Sequence, residues 1–146
     1  MEKPDVERTD DGRYIIVKGR RWRATDPNIP PGLKDELVRE LMSARRAIKA
    51  GDSSARARVH AAKTALGERG EPWWERTDDG QAARAVAAAT MLLRARDGGP
   101  ISVDDVAQIV GGEAWREAVP LVEKTLRAGH DDHAWVFDGV NVRSMP

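Results

Sequence analysis

Cysteine is absent from this chain, which excludes disulfides, thiolate metal sites and thiol catalysis. Aromatic residues other than tryptophan are almost missing, with one Phe and one Tyr beside five Trp, so any core must draw its large rings from the tryptophans. No apolar run approaches the roughly 20 residues that span a bilayer. The start, MEKPDVERTDDG, has no basic segment followed by an apolar one. A soluble cytoplasmic protein without a membrane partner is the expectation. Neither sign of charge is in excess, because 24 Lys and Arg face 24 Asp and Glu; an electrostatic site must therefore be local. The glycine pairs Gly98-Gly99 and Gly111-Gly112 lack the lysine and spacing of a phosphate loop and read as turns.

The 146 residues, 40% hydrophobic and 33% charged, suit one ordinary domain or two small units with modest cores. Two units fit the pattern better. Residues 1–12 are polar and without period and read as a mobile tail. Residues 13–74 carry a β-hairpin and a basic helical hairpin, and residues 81–146 a winged-helix-like unit. The fold class expected is mainly α (α+β).

In the first half, Tyr14-Ile-Ile-Val17 and Arg21-Trp-Arg-Ala24 flank Lys18-Gly19-Arg20, which suits a tight hairpin. Asp26 to Pro31 must be extended, because each proline fixes φ and biases its predecessor away from helix. From Leu33, apolar residues at Leu37, Val38, Leu41, Met42, Ala44, Ala47 and Ile48 predict a helix that starts at or just after Pro31 and ends at Gly51. Asp52 or Ser53 can cap a second helix through Gly67 with a stripe of Ala55, Val59, Ala62, Ala65 and Leu66. The alanines bury little area, so Trp22, Trp73 and Trp74 are expected to cover the helical hairpin.

The hexapeptide ERTDDG occurs twice, at Glu7–Gly12 and Glu75–Gly80, followed by unrelated residues. It reads as a recurrent turn or cap, and its second copy marks the boundary between the halves. Beyond it, Gln81–Arg96 forms a third helix through Val86, Ala89, Thr90, Met91 and Leu93. Ser102 and Asp105 form a capping arrangement for a helix through Val110. Glu113–Ala118 reads as a short helix pinned by Trp115, and Pro120 as the first residue of another helix that Gly129 ends. Ala134–Phe137 and Val140–Val142 around Asp138-Gly139 predict a hairpin. Helix, helix, turn, helix and hairpin is the outline of a winged helix, which binds nucleic acid or docks proteins.

Asp105-Val-Ala107, Gly111-Gly112, Trp115-Arg116 and Pro120–Leu126 resemble the corresponding runs of an uncharacterised bacterial winged-helix domain family of unknown function. Gly19–Pro27, Glu36–Met42, Ala44–Ala47, Ala65–Gly70 and Trp73-Trp74 are similar to an N-terminal segment of related uncharacterised bacterial proteins. The resemblance covers most of the chain and implies a compact winged helix, with no activity, cofactor or catalytic residue to carry over. The short tail departs from the proline- and arginine-rich ending of that family.

Charge is distributed unevenly along the chain. The helical hairpin carries Lys34, Arg39, Arg45, Arg46, Lys49, Arg56, Arg58, Lys63 and Arg69 against five acids, a net of +4 (9 − 5). From Gly80 onward seven bases meet nine acids, a net of −2 (7 − 9), too acidic to neutralise many phosphates unaided. Arg45, Arg46, Arg56, Arg58 and Lys63 are therefore the candidate nucleic-acid-binding residues, with Arg20, Arg21 and Arg23 extending the surface. The plainer reading is a solvated helical face whose cations complement the helix dipole.

His130-Asp-Asp-His133 could ligate a metal, but its ligands are too close in sequence for the separated pairs of a closed site; no metal and no cofactor is expected. His60 has no neighbouring nucleophile motif and reads as a partly buried structural histidine. Asp10-Asp11, Asp78-Asp79 and Asp104-Asp105 fall at turns and helix starts, where aspartate caps amides. The tryptophans could stack on bases, but core use is favoured for all except one of Trp73 and Trp74. The expectation is a non-enzymatic binding protein contacting nucleic acid through the basic helical hairpin. The alternative is a protein–protein adaptor or self-associating module using the acidic winged helix.

Overall fold

The computed structural model describes residues 7–130, 132, 133 and 135–146. Its α+β layout is the one expected, with helices dominating two small antiparallel sheets. The first sheet has the order β1-β2-β3, from Glu7–Arg8 (β1), Tyr14–Val17 (β2) and Arg20–Arg23 (β3). Strand β1 thus falls inside the tail expected over residues 1–12, whose first six residues lie outside the described ones. The first ERTDDG explains the order of Glu7–Gly12. Thr9 N–H donates to Tyr14 O at 3.0 Å and Gly12 N–H to Thr9 O at 2.9 Å, while the Asp11 carboxylate accepts from Thr9 Oγ1 and the Arg13 N–H. Polarity without period here encodes a hydrogen-bonded turn.

Helix α1 (Pro31–Lys49) has Pro31 in its first turn, where the missing N–H costs nothing, and buries Leu33, Leu37, Leu41 and Ala44. Gly51, at φ +103°, lets the chain reverse while Gly51 and Asp52 N–H satisfy the carbonyls of Ile48 and Ala47. Asp52 caps the next segment by accepting from Ser54 N–H at 3.0 Å. One tight 3₁₀ turn, Ser53–Ala55, precedes α2 (Arg56–Ala65). Ala55, Ala62, Ala65 and Leu66 are buried, as their spacing indicates.

In the second ERTDDG, Thr77 caps α3 (Asp78–Ala95): its Oγ1 accepts from Gly80 N–H at 3.1 Å, and its own N–H donates to Glu71 Oε1 at 2.9 Å. The helix therefore begins within the hexapeptide. It is also more deeply set than one apolar stripe allows. Ala85, Ala88, Ala89 and Leu92 are fully enclosed, and Val86 and Thr90 only half-buried. Helix α3 touches α1, α2, α4 and α5, and a single hydrophobic cluster runs through both halves of the chain.

Two polar devices tie the elements to α3. Arg84, pointing inward, donates from Nη2 to Asp26 Oδ2 at 3.0 Å and from Nε to Ala65 O at 2.9 Å. Its guanidinium pKa is pushed down by burial, against which the Asp26 charge and hydrogen bond act. Arg96 spans Glu36 of α1 with two hydrogen bonds of 2.8 and 2.9 Å and reaches Asp105 at 2.8 Å. These contacts hold its pKa above the ordinary arginine value, Glu36 foremost.

After α3 come β4 (Ile101–Ser102), α4 (Val103–Gly111), α5 (Trp115–Ala128), β5 (Trp135–Phe137) and β6 (Asn141–Ser144), with sheet order β4-β6-β5. Ser102 and Asp105 make the reciprocal capping box. The short helix and proline-started helix expected around Trp115 and Pro120 are one continuous helix. Pro120 lies on its exposed side, where the lost hydrogen bond is outweighed by burial of Ala118, Val122 and Leu126 along the opposite stripe. Trp135 is enclosed and donates from Nε1 to Leu126 O at 3.0 Å. In the hairpin turn, Asp138 Oδ1 accepts the N–H groups of Val140 and Asn141 at 2.9 and 2.7 Å.

Candidate nucleic-acid interface

Strand pairing decides which side chains of the first sheet share a face. Ile15 lies opposite Trp22 and Val17 opposite Arg20, and the two-residue period puts these four on one side. Tyr14, Ile16 and Arg21 occupy the other, and Arg23, which starts from that face at the end of β3, also borders the first. There Tyr14 meets Trp74 edge-on at 5.6 Å, and Arg21 lies over the Tyr14 ring at 4.2 Å. Trp73 packs at right angles to Trp74 and donates from Nε1 to Ala24 O at 3.1 Å. These two tryptophans, expected to cover the helical hairpin, pack instead on the first sheet and on each other, and neither belongs to the hydrophobic cluster. Trp22 does not cover the hairpin either: it is 43% exposed, with the Arg20 guanidinium 4.3 Å from its ring centroid. Its partner Ile15 lies on an open strand face rather than under a helix, so the expected role as core cover is lost.

Between this face and the helical hairpin lies an open cleft of about 640 Å³. Its apolar floor is Ile15, Val17 and Trp22. Its rim is Arg23 from β3, Arg45 from α1, Lys63 from α2 and Arg69 from the following loop, with Glu68 the one acid lining it. Arg23 is steadied by a 2.7 Å hydrogen bond to Gly70 O, and Glu68 accepts from Thr25 Oγ1 at 3.3 Å. The Lys63 ammonium is held below its ordinary pKa, first by burial, then by repulsion from Arg69 and Arg45; Glu68 acts in the opposite sense. Such crowding of cations leaves an electrostatic demand that an anion would meet.

The five candidate residues are therefore separated by the fold. Arg45 and Lys63 converge on the cleft. Arg46 and Arg56 are exposed on the hairpin and make no ion pair among the described residues. Arg58 turns the other way, donating to Ser43 Oγ at 3.1 Å and lying 3.7 Å from Glu40 Oε2. It lines a second cleft of about 460 Å³ with Arg94, which stands 3.7 Å from the same Glu40 oxygen. Arg69, one of the nine bases of the hairpin, and Arg23, expected to extend the basic surface, also line the cationic cleft. The pairing of Ile15 with Trp22, readable from the hairpin's register, was the signal that a ribbon face looks toward the helices.

The remaining candidates do not form a site. His60 is exposed rather than partly buried, with Nδ1 3.4 Å from Arg69 Nη1; it occupies the outer side of α2, away from the Ala55–Ala62 stripe. In the HDDH run, His130 Nδ1 accepts Phe137 N–H at 2.9 Å and the His133 ring lies 5.1 Å from that of Trp135. Asp131 lies outside the described residues. Among the described residues no three His, Asp or Glu side chains come together as metal ligands. Asp11 and Asp105 act as turn and cap acceptors, and Asp78 and Asp79 sit in the first turn of α3.

No protein-family model, curated protein or solved structure matches the chain.

Proposed function

We propose that this chain is a non-enzymatic, cytoplasmic binding protein that holds nucleic acid in the cleft between its first sheet and its helical hairpin. The observation that supports this is the convergence of Arg23, Arg45, Lys63 and Arg69 on one cleft against the single carboxylate of Glu68. Arg46 and Arg56 extend the cationic surface along the hairpin. Phosphate oxygens are the anions such a rim suits, and each neutralised phosphate releases counterions on binding. The C-terminal half, a winged-helix-like unit resembling the uncharacterised bacterial family, contributes little to this: it is acidic, and Arg84 and Arg96 are engaged with carboxylates.

The test is fluorescence anisotropy of labelled RNA and duplex DNA titrated with the whole protein across a salt series. With four phosphates neutralised, log K should fall against log salt with a slope of about −3. Arg45→Gln with Lys63→Gln should halve that slope, and Arg58→Gln should leave it unchanged. Absence of binding at low salt, or binding indifferent to salt and to the double substitution, would refute the reading. A second reading, docking of a protein partner on the acidic unit, is favoured by one observation: Val136, Val140 and Met145 on the C-terminal hairpin and tail are 40%, 65% and 37% exposed.

A further inference from the structure

We infer that the ligand of this cleft is a single-stranded nucleic acid, with one unpaired base stacked on Trp22 and its flanking phosphates on Arg45, Lys63 and Arg69. This inference rests on the proposed function and narrows it. Of the five tryptophans, Trp135 is enclosed, Trp73 and Trp74 pack on each other, and Trp115 is half-buried against the core. Trp22 alone of the five is exposed, and its indole N–H donates to no protein atom among the described residues. Exposing a ring of this size in a chain so poor in aromatics forgoes burial that the core could use.

The position of the ring specifies the ligand. It stands on an apolar floor with Ile15 and the exposed Val17, below a rim of cations. A ligand that fits must present a flat, apolar face and anionic groups a short distance from it. Phosphate alone satisfies only the rim. A duplex keeps its base faces stacked inside and offers the protein phosphates and base edges, whereas a single strand can turn a base out onto an aromatic platform. Arg20, 4.3 Å above the indole, would complete a guanidinium–indole–base stack with the base on the opposite face. An anionic membrane offers charge and apolar chains as well, but Trp22 lies within a concavity, not on a protruding edge that a flat surface could receive.

The experiment compares the whole protein with its Trp22→Leu and Trp22→Phe variants at one salt concentration. The probes are a single-stranded oligonucleotide, the duplex of the same sequence, inorganic polyphosphate and phosphatidylserine vesicles. The wild type should prefer the single strand to both duplex and polyphosphate. Trp22→Leu should weaken single-strand binding about five- to hundredfold, the loss of one stacked base, leaving the salt slope and polyphosphate affinity as they were; Trp22→Phe should restore most of the loss. If polyphosphate binds as tightly as the single strand, or Trp22→Leu changes nothing, stacking is refuted while the cationic site stands. Failure of every polyanion to bind would instead refute the proposed function. Vesicle binding without single-strand binding would reassign the cleft to a membrane. The comparison of probes on the wild type decides the matter even if a variant fails to fold.

Discussion

Replacing Arg84 by methionine tests the internal architecture most sharply. The Arg84 side chain is 8% exposed and that of Asp26 is fully enclosed, with their charged atoms 3.0 Å apart. Breaking a buried pair by removing one partner leaves an uncompensated charge and costs about 3–5 kcal/mol. The substituted methionine keeps most of the apolar volume, so the penalty is electrostatic rather than a cavity. For a chain of this length that loss corresponds to a melting temperature lower by roughly 6–20 °C. A second substitution, Asp26→Asn, should recover part of it. The amide still accepts the Asn28 N–H that Asp26 Oδ1 binds at 2.9 Å, and no charge remains buried. The residual cost of about 1–3 kcal/mol is that of Ala65 O losing its Arg84 donor. The double variant is thus expected to be more stable than Arg84→Met alone, measured by urea unfolding followed by circular dichroism. A double variant less stable than Arg84→Met, or a single-substitution cost below about 1 kcal/mol, would refute the account of a dry, coupled pair.

Two further outcomes can be checked independently. An alanine Cβ at Gly129 would lie 2.9 Å from Trp135 Cε2 and closer still to Cζ2; Gly129→Ala should cost about 1–3 kcal/mol in urea unfolding through overpacking, since φ of −80° there is open to any residue. Asp138 titrates below the ordinary value near 3.8, because the Asn141 and Val140 N–H groups hold its carboxylate. A depressed folded pKa gives stability that is present above the unfolded pKa and lost as pH falls through the folded one. A carboxyl-detected NMR titration should therefore show the Asp138 midpoint on the acid side of 3.8, and Asp138→Asn should weaken the acid limb of the stability profile while leaving neutral pH behaviour free of any new slope.

Much of the fold was legible in the sequence because local rules and tertiary packing agree there. Pro31, Gly51, Asp52, Ser102 and the Asp138-Gly139 turn each do what their chemistry favours at the ends of elements. The departures come where a distant partner decides. Nothing near Pro120 indicates that α5 runs through it; the stripe Ala118, Val122 and Leu126 against α3 and α4 outweighs one lost hydrogen bond. Nothing local to Arg84 indicates that it turns inward; its partner Asp26 lies 58 residues away in the chain. The hexapeptide ERTDDG makes a β-turn in one copy and a helix cap in the other because Tyr14 supplies strand pairing beyond the first and Glu71 supplies an acceptor beside the second. The site was legible in its charge and not in its shape: Arg45 and Lys63 reach the cleft, Arg58 is diverted by Glu40, and Trp22 remains open because the ribbon turns its other face to Trp74.

Helix α3 carries an evolutionary implication. Half of its eight buried residues are alanine, Ala85, Ala87, Ala88 and Ala89, and four other helices pack on it. A wall this thin has no slack: a larger residue in it displaces a whole layer, whereas exposed positions that face neither the core nor the cleft can change at little cost. Selection would then hold the plainest segment of the chain as nearly fixed as the residues of the cleft.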